Sequence, residues 1–256
     1  MRKSLVLLLT SILVLFSMAV MAGDLNGDQI LDKVDQVLNA KTRDSKIEMT
    51  IVNSSGQQRQ QTIRLMSRGE EKGLVRFLAP ADVEGTGFLT RKEGKEDKMW
   101  LYLPAIGNVR KIASHNKNGS FMGTDFTYED ISMLGGSNYQ SNYNSELLGT
   151  EQVSDQECYL LTSIPTDKEI EYSKMKMWVR KTDFMPVKLE FYDKDEKLVK
   201  VMTNTDIKKI KGHLTPQVIT MKNVQEGTKT ILKLKDIQYN VDLPEKIFTT
   251  RYLQRG

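Results

Sequence analysis

The fold is decided by residues 97–134, which read DKMWLYLPAIGNVRKIASHNKNGSFMGTDFTYEDISML. Residues 99–103 predict a strand with apolar side chains on both faces, because Trp100 and Tyr102 alternate with methionine and leucine. Such a strand is expected to be covered on both faces, by packing on one and by a ligand, lid or loop on the other. Pro104 has no amide hydrogen to donate and therefore ends the strand.

A second strand and an apolar loop follow. Residues 109–112 predict the strand, which carries Arg110 and Lys111. After the polar run HNKNG comes a dense apolar patch punctuated by Gly119 and Gly123, formed by Phe121, Met122, Phe126 and Tyr128. Large aromatic side chains in a loop are costly to leave in water. We therefore expect this patch to cover either the core of the sheet or the mouth of a cavity.

Residues 124–133 predict a short helix with Thr124 or Asp125 as its N-cap. Asp125, Glu129 and Asp130 raise the alternative of an acid–base pair of the kind that glycosidases use. However, acidic residues in the first turn of a helix complement the helix dipole and need no catalytic role. The helical interpretation is preferred, and no catalytic residue is predicted here.

Signals for other catalytic or metal chemistry are weak. His115 lies in a polar loop and His213 in a turn, and neither has an obvious partner in the sequence. Ser120 lies in NGSFMG, where Asn118 replaces the first glycine of the G-x-S-x-G elbow. Cys158 is the sole cysteine, and no cysteine and histidine cluster has metal-ligand spacing. We therefore predict that the protein is not an enzyme and has no metal or cofactor.

Most of the remaining chain predicts a meandering antiparallel sheet. An amphipathic helix comes first, with Asn26 and Gln29 as a capping pair. Period-two alternation then gives a hairpin through the turn NSSG and further strands, one of them within residues 141–149. Roughly eleven to thirteen strands are predicted, too many for a flat sheet, so the sheet should curl. A short helix from Pro244 ends the chain, with Phe248 packed against the sheet.

The first 22 residues have the order of a secretory signal peptide. Two basic residues precede the apolar run 5–16, and small residues lead to Ala22, after which we place cleavage. The run is shorter than the roughly 20 apolar residues that span a bilayer. Residues 23–256 contain no linker rich in proline, glycine or serine, and they predict a single domain in the periplasm.

The charge balance argues against a nucleic-acid partner. Removing the signal peptide takes two of the 37 basic residues, so 35 remain against 33 acidic residues and the net charge is about +2. Proteins that bind nucleic acids favour a strongly basic face. We expect a monomer without a nucleic-acid partner.

The run MWLYLPAIGNVRKIASHNKNGSFMGTDFTYEDI, residues 99–131, resembles a divergent branch of the outer-membrane lipoprotein-sorting proteins, relatives of the periplasmic carrier LolA and its acceptor LolB. A weaker similarity of strand layout extends from about Asp28 to the C-terminus. The resemblance implies a mainly β fold, an incomplete, half-open antiparallel β-barrel whose helices cover an apolar cavity for acyl chains. It implies no particular ligand, because a fold alone does not specify a function.

The residues that would serve such a cavity are predicted from strand alternation. The cavity and its mouth are predicted to be lined by Met49, Ile51, Leu65, Phe77, Phe88, Trp100, Tyr102 and Trp178. The apolar loop patch would cover the cavity, and Arg110 and Lys111 would contact a head group. Ten of the 13 methionines lie beyond the signal peptide, and their flexible side chains suit guests of variable shape. A one-residue error in a strand would invert the face.

Three functions from different classes remain open. The first is a periplasmic carrier that holds a lipoprotein acyl chain or another lipid and delivers it towards the outer membrane. The second is an accessory protein that docks on an inner-membrane RND-type or ABC-type transporter through its basic outer faces. The third, a cell-envelope glycan hydrolase, depends only on the carboxylates described above. A bound lipid favours the first, and copurification with a permease without lipid favours the second.

Overall fold

Thirteen antiparallel strands form a single sheet in this computed structural model, which describes residues 25–94, 96–168 and 170–255. The predicted signal peptide, residues 1–22, lies outside the described residues. The strands are β1 (Thr42–Val52), β2 (Gln58–Arg68), β3 (Lys72–Ala79), β4 (Gly87–Glu93), β5 (Glu96–Leu103), β6 (Asn108–Ile112), β7 (Tyr143–Val153), β8 (Gln156–Pro165), β9 (Lys174–Arg180), β10 (Pro186–Tyr192), β11 (Leu198–Ile210), β12 (His213–Asn223) and β13 (Thr228–Tyr239).

The order of the strands leaves the sheet open. The order is β6-β5-β4-β3-β2-β1-β13-β12-β11-β10-β9-β8-β7. The chain meanders outwards from β1 to β6, crosses to the opposite edge through residues 113–142, and meanders back from β7 to β13, which pairs with β1. The edge strands β6 and β7 do not pair with each other in the described residues. The predicted incomplete antiparallel barrel and its number of strands are therefore confirmed.

The β1–β2 hairpin forms where alternation and turn chemistry agree. Ile47 pairs with Ile63, and both side chains are buried. In the predicted turn, the Asn53 side chain accepts a hydrogen bond from the amide of Gln57 (2.9 Å). Gly56 has a φ of +84°, a conformation that favours glycine. The predicted hairpin is confirmed.

Four α-helices and two 3-10 helices complete the described chain. They are α1 (Gly27–Leu38), α2 (Tyr128–Gly135), α3 (Tyr139–Asn142), α4 (Thr250–Arg255) and the 3-10 helices Ser114–Asn116 and Glu245–Phe248. The predicted reciprocal capping between Asn26 and Gln29 is present in α1. The strand predicted within residues 141–149 begins only at Tyr143, because α3 occupies the residues before it. Among these helices, none is long and apolar enough to cross a bilayer.

The start of α2 differs from the prediction. Its N-cap is Thr127, and not Thr124 or Asp125. The Thr127 side chain accepts a hydrogen bond from the amide of Asp130, whose carboxylate accepts one from the amide of Thr127. Residues 121–126 form a tight turn instead, closed by hydrogen bonds between their own backbone groups.

Other parts of the chain pack against both faces of the sheet. We call the face under α1 and residues 113–142 the inner face, and residues 113–142 the cover. The inner face carries the larger of the hydrophobic clusters. Residues 241–253 pack on the outer face of β2–β6, where Phe248 is 1% exposed, as predicted. A smaller outer cluster joins β8 to β10 around Cys158.

The start of α1 also protects part of the β7 edge. The Asp28 carboxylate accepts a hydrogen bond from the amide of Ser145 (2.8 Å). Gly27 approaches so closely that a Cβ atom there would lie 2.3 Å from the Ser145 carbonyl oxygen. Unpaired edge strands invite association with other strands, and this contact covers one stretch of such an edge.

Candidate functional site

An apolar cavity lies on the inner face, between β1, β2, β10–β13 and helix α2 of the cover. Its volume is about 90 Å³. One water needs roughly 10–15 Å³ of such space, so the cavity has room for several atoms of a guest. Its apolar wall includes Ile47, Leu65, Met202, Ile219, Met221 and Leu234.

A larger, polar groove adjoins the cavity. It has a volume of about 670 Å³ and lies between the β5–β6 hairpin and residues near the opposite edge, among them Asn142 and Asp167. The groove and the cavity share Asn118, Glu129 and Ile170, which form the boundary between them. The open side of the sheet therefore offers an apolar space next to a charged one.

Aromatic packing anchors the cover to the sheet. Phe121 is fully buried, and its ring centroid lies 5.8 Å from that of Phe77, 5.3 Å from that of Phe88 and 5.5 Å from that of Tyr128. Phe126 is also fully buried. The apolar loop patch thus packs on the core of the sheet, while α2 supplies the wall of the cavity on this side.

Polar contacts hold the same loop. The Asp125 carboxylate accepts hydrogen bonds from the hydroxyls of Thr228 and Thr230, the latter at 2.6 Å. The amide of Asp125 donates to the Thr230 hydroxyl oxygen (2.9 Å). The carbonyl of Met122 accepts a hydrogen bond from Arg59 Nη2 (3.0 Å). Asp125 therefore has a structural role, which accounts for this carboxylate without an enzymatic reaction.

Replacing Asp125 with alanine is expected to lower the free energy of unfolding by about 2–4 kcal/mol, because a half-buried and a buried threonine hydroxyl lose their acceptor. Asp125→Asn keeps one acceptor oxygen and should lose less. Urea unfolding measures both. An Asp125→Ala protein as stable as the wild type would show that these contacts do not hold the cover.

A second polar chain ties α2 to the sheet. The Tyr172 hydroxyl donates to Asp130 Oδ2 (3.3 Å), and Lys200 Nζ donates to the Tyr172 hydroxyl oxygen (3.1 Å). Lys200 is 7% exposed, and burial raises the pKa of Tyr172. The start of α2 is thus connected to β11 through buried groups.

Glu129 has an unusual environment at the boundary of the cavity. Burial raises its pKa from the ordinary 4.5 to about 7. Lys117 opposes this shift, whereas the neighbouring carboxylates of Asp97, Asp130 and Asp167 add to it. Near neutral pH this side chain therefore exists in both its charged and its neutral form.

The stability of the protein is expected to fall as the pH rises from about 4.5 to above 7. In this window folded Glu129 keeps a proton that the unfolded chain has released, and stability falls where the native state binds more protons. The loss is at most about 3 kcal/mol, at 1.36 kcal/mol per pKa unit, and smaller because Glu129 is only half-buried.

Denaturant unfolding at pH 5 and pH 8 measures this loss in the wild type and in Glu129→Gln, whose side chain does not titrate. The exposed Glu146 gives the matched control Glu146→Gln. Identical pH profiles for the wild type and Glu129→Gln would contradict the assignment to Glu129.

Five of the eight residues predicted for the cavity lie on the inner face of the sheet. Leu65 lines the cavity. Met49, Phe77 and Phe88 are buried in the inner cluster, and Ile51 packs against it, although none of these four is among the residues that line the cavity.

Trp100, Tyr102 and Trp178 lie away from the cavity, on the outer face. Trp100 and Tyr102 pack against the C-terminal residues, because the apolar side chains of that segment are buried against the outer face of β5. Trp178 belongs to the outer cluster with Cys158, and its indole donates to the Glu151 carboxylate (2.7 Å). Alternation placed Met177 inward, which turns its neighbour Trp178 outward.

The two predicted head-group residues lie on β6, and both are exposed. Lys111 lines the polar groove, whereas Arg110 lines neither the groove nor the cavity. Whether either residue contacts a head group stays a prediction.

Sequence reasoning did not predict the charged and polar residues that line the cavity, among them Arg43, Glu129 and Tyr172. For Arg43 a signal was available. The alternation of β1 extends from Ile47 back through Ser45 to Arg43, and all three line the cavity. In the part of the chain that the structure describes, no group of three or more His, Cys, Asp and Glu side chains could hold a metal ion.

Comparison with known families and curated proteins identifies one match. A family model described only as "uncharacterized protein" matches residues 69–255. No curated protein matches the sequence.

Solved structures are similar over nearly the whole chain. A DUF1329 family protein from Desulfovibrio piger is 30% identical with a TM-score of 0.83, over 89% of this chain and 97% of that one. A domain from Vibrio parahaemolyticus named for outer membrane lipoprotein sorting is 32% identical with a TM-score of 0.83, over 90% and 98% of the two chains. A LolA superfamily protein from Nitrosomonas europaea, 23% identical over 89% and 99%, shares the fold with a TM-score of 0.75.

Proposed function

This chain belongs to the same family as the DUF1329 protein and the lipoprotein-sorting domain described above, and from that premise we propose that it is a periplasmic carrier. It holds an acyl chain of a lipoprotein, or of another lipid, in the apolar cavity and delivers it towards the outer membrane. The observation that supports this proposal best is the apolar space left between the inner face of the sheet and a separate cover.

Burial of the acyl chain supplies the binding free energy. Each CH₂ group removed from water contributes about 0.8 kcal/mol. Pockets for drug-sized ligands measure roughly 300–1,000 Å³, so the cavity of about 90 Å³ corresponds to a closed state that must widen. Widening requires α2 and its loop to move outwards, and such segments can open without global unfolding.

The boundary between the cavity and the groove suits an amphiphile. The acyl chain lies in the cavity, and the more polar part of the guest reaches the groove past Glu129 and Ile170. Release follows when the cover lifts, because the guest then exchanges the cavity for another apolar environment.

Native mass spectrometry of the gently purified, secreted protein tests this function. We expect one lipid per chain, identified after extraction, and uptake of a fluorescent fatty acid by the delipidated protein. A chain that carries no lipid and takes up no fatty acid would contradict a carrier role.

Docking on an inner-membrane transporter of the RND or ABC type is the second candidate. It is favoured by lysines on the exposed side of β11–β13, such as Lys209, Lys229 and Lys233. Purification with a permease but without bound lipid would support this role over the carrier.

A further inference from the structure

The strongest unassigned feature of the cavity is a guanidinium in its wall. Arg43 lies on β1, where its Cα pairs with that of Tyr239 on β13, and its side chain lines the cavity. Burial lowers the pKa of Arg43, and a hydrogen bond with Tyr239 opposes that shift. None of the ion pairs among the described residues includes Arg43.

A cation in such a place is costly unless an anion meets it. Desolvating a charge disfavours its charged form, and arginine nevertheless stays protonated. The planar guanidinium offers parallel N–H donors that match the two oxygens of a carboxylate or a phosphate. The hydroxyl of Tyr239, 2.8 Å from Thr215 Oγ1, places a second polar group at the same position.

Three acidic residues also line the cavity, and none of them forms an ion pair with Arg43 among the described residues. Glu129 and Asp130 lie on α2, and Glu171 lies just before β9. Lys117 is the cation that acts on the pKa of Glu129, and Lys200 is the one that acts on the pKa of Glu171. None of the ion pairs among the described residues joins Arg43 to a carboxylate, so this part of the protein supplies no ion-pair partner for the guanidinium.

We propose that Arg43, with Tyr239 beside it, binds the carboxylate or phosphate of an acidic amphiphile whose alkyl chain lies along the apolar wall. This inference rests on the proposed carrier function and narrows its substrate class. The cavity would then select acidic lipids over neutral lipids of equal chain length. The wall of the same cavity supplies Leu214, Pro216 and Leu234 for the carbons of the chain.

The test compares three guests with the same alkyl chain, namely palmitate, hexadecyl phosphate and hexadecanol, by displacement of a neutral fluorescent alkyl probe. The wild type should bind the two acids about tenfold to a hundredfold more tightly than the alcohol, as expected for hydrogen bonds to a charged group. Arg43→Met should abolish that preference. Arg43→Lys should retain part of it, because the charge remains while the planar donors are lost.

The matched control is Arg64→Gln. Arg64 lies on the neighbouring strand β2 and pairs with Asp44 away from the cavity. This variant changes the net charge of the protein by the same amount and should keep the full preference for acids. Its behaviour separates a local contact from a general electrostatic attraction.

The outcomes distinguish this inference from the carrier function. If the wild type binds none of the three guests, the carrier function fails. If it binds acids and alcohol equally, and Arg43→Met changes nothing, the inference is overturned while the carrier stands. Should inorganic phosphate alone bind as tightly as hexadecyl phosphate, the site serves a free anion, and the assignment to a lipid head group is overturned.

Discussion

Leu65→Glu is expected to abolish lipid uptake, whereas Met66→Glu on the next residue leaves uptake intact. Leu65 is 3% exposed and lines the cavity, so a carboxylate there faces the alkyl chain of the guest. Losing contact with only three CH₂ groups would cost about 2–3 kcal/mol, which weakens binding roughly 50-fold. Desolvation of the carboxylate adds to that loss.

Met66 provides the control because it is similarly buried but faces the other way. It is 6% exposed and packs with the C-terminal segment on the outer face. Both substitutions should therefore reduce the free energy of unfolding, while only Leu65→Glu should reduce binding of a fluorescent fatty acid. Equal loss of binding in both variants would mean that unfolding, and not the cavity, explains the effect.

Phe121→Ala is expected to lower the free energy of unfolding by about 3–5 kcal/mol and to accelerate lipid release. The Phe121 ring is fully buried among Phe77, Phe88 and Tyr128, and its removal leaves a cavity under the cover. Stopped-flow measurement of the dissociation rate reports the release, because a loosened cover opens more often.

Phe248→Ala is the control for Phe121→Ala. Phe248 is 1% exposed in the outer cluster, so its loss should cost similar stability without touching the cover. At matched stability only Phe121→Ala should release lipid faster. If the two variants release lipid at the same rate, Phe121 acts through global stability alone.

Alternation predicted the strands well because most of them bury one face. The same rule could not assign β5, where Trp100 and Tyr102 are as apolar as Met99. Their face is decided by residues 241–253, which lie far away in sequence and require an apolar surface on β5. An apolar segment at the C-terminus was the available signal that a second face of the sheet had to be covered.

The position of the cavity was harder to predict than the sheet. A cavity forms where side chains of the inner face have no packing partner in the cover. The path of the cover decides where this happens, and the alternation of a single strand does not show it. The Phe121 ring packs on Phe77 and Phe88, whereas Met202 and Met221 line the cavity. Arg43 was not predicted to line the cavity because β1 begins with polar residues, although Arg43 lies on the same face of the strand as Ile47.

Methyl NMR of protein labelled with ¹³C at its methionine methyl groups tests the central claim most directly. Met133, Met202 and Met221 line the cavity, whereas Met66 lies on the outer face. Titration with palmitate should shift the three cavity methyl signals and give NOEs between them and the alkyl chain, and it should leave Met66 unchanged. Cavity signals that stay unchanged while the protein binds palmitate would place the guest elsewhere and contradict this account.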